Sequence, residues 1–205
     1  MFFQDFDRLA RNLERRKFTV HAAADAAEAK RIGLSLIGAG SVGFGGSVTV
    51  GELGLYEALK ARGNEVFSHT HEPPEKKDEV RRRANGARWY VASANALTED
   101  GVLVNIDGAG NRVASMIMGP ENVLLFIGRN KLVRDVAEGI ERIKRDACPL
   151  NARRLNFDTL PCGRTGKCAD CWSDERMCRV TSMIEMKPRL IKSFHLVLID
   201  EEIGW

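Results

Sequence analysis

Four cysteines fall within seventeen residues near the C-terminus: Cys162, Cys168, Cys171 and Cys178, in the run CGRTGKCADCWSDERMC. Thiolates are soft donors. Four of them around one point carry a negative charge that a soft cation or an iron–sulfur core neutralises. The C-x-x-C of Cys168 and Cys171 is the local chelate, with Cys162 and Cys178 on flanking loops. Three outcomes compete: an iron–sulfur cluster of the 4Fe-4S type, a structural zinc, and disulfides or free thiols. The intervening counts of five, two and six residues match neither a zinc ribbon nor the two-cluster ferredoxin run, so they speak for a metal without selecting one. Cys148 lies outside this spacing and reads as a buried apolar group or a spare thiol.

A second chemical candidate is the glycine-rich stretch GAGSVGFGGS. Gly38, Gly40 and Gly43 spell G-x-G-x-x-G, yet the segment before them has helical periodicity and no acidic residue follows the next strand, which argues against a dinucleotide fingerprint. Gly40 to Ser47 spell a phosphate loop in which Gly46 replaces the lysine, which argues against a nucleoside triphosphatase. The better reading is a strand, Ser41 to Phe44, entering a Gly45-Gly46-Ser47 turn before a helix. The backbone N–H groups there, with the hydroxyls of Ser47 and Thr49, suit a phosphate or carboxylate. The competing reading is a tight turn and nothing more.

The third candidate is NALTEDGVLVNIDGAGNRV, residues 95–113. Glu99 is the candidate base and Arg112 the candidate carboxylate clamp, with Asn111 beside it at the start of a helix. Asp107-Gly108 is explained by turn chemistry alone, and Arg112 by a salt bridge to a nearby acid. His69 and His71, two apart at a strand end, share a face and could chelate a metal, or could simply be solvated. His195 begins an apolar strand and reads as structural. Residues 129–154 carry eight basic and four acidic side chains, a solvated helix face or an attractor of anions.

These groups need a scaffold. Phe2, Phe6, Leu9 and Leu13 recur at helical spacing, predicting a helix over 4–16. A strand follows at Phe18 to Ala22. Asp25 is placed to cap a helix running to about Leu36, and Ser47 another carrying Leu53, Tyr56 and Leu59. Glu65 to Ser68 reads as a strand. Pro73 and Pro74 open a charged helix ending at Asn85-Gly86. Trp89 to Ala92, Val102 to Ile106 and the wholly apolar Val123 to Ile127 are strands, the last central. Val133, Val136, Ile140 and Ile143 stripe a helix. Residues 148–178 lack periodicity. Arg179 to Met186 and Ser193 to Ile199 are strands read as a closing hairpin. The pattern is α/β: a three-layer sandwich with a mainly parallel sheet, an N-terminal helix, a cysteine-rich C-terminal loop and a short hairpin. One domain is expected across 1–205, with 148–180 as its metal-binding loop.

The N-terminus MFFQDFDRLARNLERRK is broken by charge too early for a secretory signal. No apolar run approaches the roughly 20 residues of a membrane span. A cytoplasmic location is expected, where persistent disulfides are rare. The net charge of +3 is mild, and no aromatic-studded basic stripe marks a nucleic-acid binder.

The strings VGFGGSVTVGELGL, SANALTEDGVLVNIDGAGNRVA and CGRTGKCADC together resemble the LUD domain, named for lactate utilisation. The likeness is to the stand-alone branch that ends in a cysteine-rich loop, and it covers most of the chain. The resemblance implies a fold similar to the phosphosugar-isomerase (NagB/RpiA) and CoA-transferase group, in which a Gly-Ser-Thr-type turn binds phosphate or acyl substrate. That corresponds to Gly45, Gly46, Ser47 and Thr49. It also implies an acidic turn at Thr98 to Gly101, and iron–sulfur chemistry at the four cysteines. The function implied is a redox or electron-transfer component, an oxidoreductase part, of lactate or hydroxy-acid metabolism. Its expected partners are a small carboxylate or phosphorylated ligand, an iron–sulfur protein, and a second copy of the chain in a homo-oligomer. The alternative is a non-redox isomerase or acyl-transferase-like enzyme, or a ligand sensor, with structural zinc.

Overall fold

The structure, a computed structural model, describes residues 2–205, and their side chains from Phe6 onward. In chain order the elements are α1 (Phe2–Arg15), β1 (Thr19–Ala23), α2 (Ala26–Leu36), β2 (Ser41–Phe44), α3 (Val48–Glu52), α4 (Leu55–Ala61), β3 (Glu65–Ser68), α5 (Lys77–Asn85), β4 (Trp89–Ala92), β5 (Ala96–Thr98) and β6 (Leu103–Asp107). Then come α6 (Asn111–Ile117), β7 (Asn122–Gly128), β8 (Leu132–Val133), α7 (Val136–Arg142), α8 (Cys148–Arg154), α9 (Pro161–Thr165), β9 (Val180–Ile184) and β10 (Ser193–Ile199).

Six strands form a wholly parallel sheet in the order β1-β10-β7-β4-β2-β3. The apolar β7 is interior, as its composition predicts, and its residues alternate between two cores by the strand period of two. Val123, Leu125 and Ile127 face one cluster with Leu9 and Leu13 of α1 and Met116 of α6. Leu124 and Phe126 face the other, with Ala29 of α2 and Leu55 and Leu59 of α4. Each such fully buried Leu, Ile or Phe contributes about 1.5–3 kcal/mol of hydrophobic stabilisation. Helices therefore cover both faces of the sheet, which is the α/β sandwich expected.

Local signals explain the helix ends. Asp25 caps α2 by accepting the Glu28 N–H at 2.7 Å. Ser47 caps α3 by accepting the Val50 N–H at 3.3 Å. The single helix expected beyond Ser47 is two, because Gly54 takes a left-handed conformation (φ 61°) between α3 and α4.

Three further expectations are corrected. The last two strands are not a hairpin: β10 enters the parallel sheet between β1 and β7, whereas β9 pairs antiparallel with β6 in a second sheet of order β8-β5-β6-β9. The segment joining them, residues 185–192, crosses between sheets instead of turning back. The cysteine stretch is also not all loop, since α8 and α9 occupy its first part. Pro161 sits in the first turn of α9, where a missing N–H costs nothing, whereas Pro149 lies inside a helical run continuous from Val136, directly after a π-helical turn at Ile143–Ala147. The stripe assigned to one helix from Val133 is divided as well: Val133 belongs to β8, and α7 starts at Val136 behind an Asp135 cap.

Candidate functional site: a cationic cleft beside a cysteine annex

Parallel strands deliver their carboxyl ends to one edge of the sheet, where open α/β folds place ligands. Here the neighbouring strands β2, β4 and β7 end in Phe44, Ala92 and Gly128. The chain just past each contributes to a cleft of about 570 Å3. From β2 come Gly46, Ser47 and Thr49; from β4, Ser93 and Asn95; from β7, Lys131. Seven lysines and arginines line this cleft against three acids, so its field favours an anion.

Lys131 lies at the cleft floor and is 1% exposed. Its Nζ donates to Thr49 Oγ1 at 2.5 Å and to Ser93 Oγ at 2.8 Å. Both hydroxyls hold their own protons elsewhere, Thr49 donating to the Ile203 carbonyl and Ser93 to that of Ala94. Burial, and then the positive charges of Arg142 and Arg112, lower the Lys131 pKa to about 7.

Arg112 is fixed by its surroundings. It donates to Asn95 Oδ1 at 3.0 Å, to the Ile106 carbonyl at 2.8 Å and to the Ser93 carbonyl at 3.4 Å. Its Nε lies 3.6 Å from Asp107 Oδ2. Asp107 in turn accepts the backbone N–H groups of Gly108, Arg112 and Val113. The turn reading of Asp107 and the salt-bridge reading of Arg112 thus describe one arrangement, and it leaves Arg112 on the cleft wall.

Of the other residues singled out by sequence, Asn111 lines the cleft with Gly46, Ser47, Thr49 and Arg112. Gly45 does not. It is buried behind the wall, where a Cβ would come within 3.0 Å of Arg112 Cγ and 3.1 Å of the Tyr90 hydroxyl. Glu99 is remote from the cleft lining: it sits on a half-exposed turn and pairs with Arg8 of α1 at 3.0 Å. The histidines part company. His69 enters the cleft lining, and burial, reinforced by Arg81, Lys77 and Arg154, lowers its pKa to about 4. His71 stacks on Tyr56 at 3.8 Å and touches Ser68 Oγ. They lie in a 3-10 turn, so the shared face of a strand is lost. His195 contacts His21 within the sheet.

The cysteines gather in an annex next to the cleft. All five, Cys148 included, line one cavity of about 20 Å3 together with Lys144, Asp170 and Arg176. Arg176 braces it, donating to the carbonyls of Cys171 and Cys178 and to Asp170 Oδ1. Cys148 Sγ and Cys178 Sγ lie 3.2 Å apart. Within this pair, contact with Cys178 and burial keep the Cys148 thiol protonated. Cys178 ionises more readily through that contact, with Arg176 and Lys144 nearby. The donor chemistry suits a thiophilic metal. The cavity holds one atom-sized guest, and among the described residues no three Cys, His, Asp or Glu side chains are already drawn together to hold an ion. A larger core requires residues 168–173, which form no helix or strand, to move outward.

Sequence reasoning missed Lys131 and Ser93. The available signal was position for Ser93, which follows directly on β4 at the edge where such sheets carry sites, whereas Lys131 lies three residues past β7 with no local mark.

A six-stranded parallel sheet covered by helices on both faces, with a cationic cleft at its carboxyl edge, defines an α/β sandwich protein. The chain belongs to the LUD domain family, whose model matches residues 6–199. A solved structure of a DUF162 family protein from Deinococcus radiodurans is similar in fold, with a TM-score of 0.57 at 10% identity over 97% of this chain and 98% of that one. No curated protein matches. Among the described residues no helix is long and apolar enough to cross a membrane.

Proposed function

We propose that this protein is a redox component of lactate or related hydroxy-acid metabolism, with a thiolate-held iron–sulfur centre in the annex and a small carboxylate or phosphorylated compound in the cleft. Family membership supports a role related to lactate utilisation. The observation that carries the finer reading is a shared wall: Cys148, Arg176 and Met177 line both the annex cavity and the cleft. Cys162, Cys168, Cys171 and Cys178 would hold the centre, and a cluster there supplies one-electron transfer. The cleft residues bind and orient the anion, with Arg112 held by Asp107 and Asn95 as its guanidinium. A partner able to exchange electrons would dock over the annex, where Trp172 is 98% exposed beside Cys171.

The test is anaerobic purification followed by iron, acid-labile sulfide and zinc analysis. Iron and sulfide in matching amounts, lost in Cys171→Ser, support the reading. A colourless protein with one equivalent of zinc ends it.

That second result would favour a non-redox enzyme or sensor with structural zinc. The annex volume, that of a single ion, favours this alternative.

A further inference from the structure

Lys131 is a cation buried at the floor of the cleft, and among the described residues its Nζ makes no ion pair. The charges that act on it most strongly are repulsive. Arg142 comes from α7 and donates to the Asn95 and Asn130 carbonyls, and Arg112 comes from α6. Glu52 of α3 is the acid that opposes them, with a smaller effect. Burying an ammonium without a carboxylate costs several kcal/mol, so a lysine retained there for packing alone would be better replaced by an apolar residue. What the surroundings favour is a free amine at neutral pH, held by two hydroxyls whose own protons are committed elsewhere. This is the setting in which lysines act as nucleophiles toward carbonyl compounds.

The second half of the site is Arg112. Lys131 and Arg112 meet on one residue: the amine contacts Ser93 Oγ, and the guanidinium lies 3.4 Å from the Ser93 carbonyl oxygen. A ligand whose carboxylate met Arg112 would therefore bring an adjacent carbon toward Lys131. The compounds that combine a carboxylate with a carbonyl on the next carbon are 2-oxo acids.

We propose that Lys131 is a catalytic residue that forms an imine with a 2-oxo acid bound in the cleft. The nitrogen lone pair forms the C–N bond as the carbonyl π pair moves to oxygen, and one N–H proton passes to that oxygen, giving a carbinolamine. Loss of water carries away the oxygen, that proton and the second N–H proton, and leaves the C=N bond. Nothing is oxidised or reduced. Ser93 and Thr49 accept the two N–H groups of the amine and so hold it in place with its lone pair free. The proposal rests on the cleft being an anion site and is independent of what the cysteines hold.

The experiment is reductive trapping. The purified protein is incubated with pyruvate at neutral pH, reduced with cyanoborohydride, digested and mapped by mass spectrometry, with and without excess oxalate, an anion that lacks a ketone. The expected result is one reduced pyruvyl group on Lys131, at least roughly tenfold above any exposed lysine because those remain protonated. Oxalate suppresses it, and Lys131→Met abolishes it. The map of the unaltered protein decides the matter even if that variant does not fold. Label confined to surface lysines, with Lys131 unmodified, overturns the proposal. Oxalate binding is measured separately by calorimetry. Binding without any Lys131 adduct overturns the imine and leaves the anion reading of the cleft standing. No binding overturns that reading, and with it the choice of an oxo acid.

Discussion

At the cleft floor, Lys131, Ser93 and Thr49 are carried just past the ends of three adjacent strands in a sheet buried on both faces. In the annex, Cys168 and Cys171 are carried by residues 168–173, which form neither strand nor helix. The first site is positioned by the core. The annex has its own small cluster of Ala152, Leu160 and Cys162, too little apolar surface to fix a loop. Its order comes from Arg176, which donates to the Cys171 and Cys178 carbonyls and to Asp170, and a bound metal would add to it. Polar groups at the floor therefore draw their precision from the core, whereas those in the annex depend on one arginine and a short stretch of irregular chain.

The largest expected effect separates the two directly. Removing the metal with a chelator should release on the order of 10 kcal/mol of local stability if the guest is zinc. Proteolysis should then cut within residues 166–175, while the denaturation midpoint of the sheet stays in place. Equal loosening of both regions would refute the division.

Next comes pH. Lys131 has a pKa of about 7 in the folded protein against an ordinary 10.5. Between these values the unfolded chain binds the extra proton, so stability rises with pH by about 1.4 kcal/mol per unit from about 7 to 10.5 and is lost as pH falls back through 7. Denaturation curves at several pH values should show this slope, and Lys131→Met should flatten it.

Asp107→Ala should cost about 2–4 kcal/mol, since it strands three backbone N–H groups and the Arg112 charge. Oxalate affinity should fall with it. The smallest effect is that of Glu99→Gln, at most about 0.5 kcal/mol from a half-exposed pair with Arg8, with anion binding unchanged. A marked loss of binding there would return Glu99 to the site.

How far the sequence discloses this molecule follows the same division. The parallel sheet was legible because β7 is an unbroken apolar run and because Asp25 and Ser47 announce their helices by type and spacing. Ser47, Thr49, Asn111 and Arg112 were legible because they sit in turns whose composition is unusual. Lys131 was not, since a lysine after a strand has no local signature and its burial arises only when β2 and β4 bring Thr49 and Ser93 alongside. Cys148 was passed over because its partner, Cys178, is thirty residues away and contact across that distance is a property of the fold. The destination of β9 was misread because two strands close in sequence suggest a hairpin, and nothing local shows that the chain between them changes sheets.

β9 begins two residues after Cys178, and its first hydrogen bond runs from the Arg179 N–H to the Asp107 carbonyl at 2.9 Å, with Val180 in register opposite Asp107. The residue after the last sulfur is therefore tied to the backbone of Asp107, whose carboxylate braces the guanidinium. The annex and the arginine on the cleft wall thus share Asp107 as a neighbour, one through its backbone and the other through its side chain.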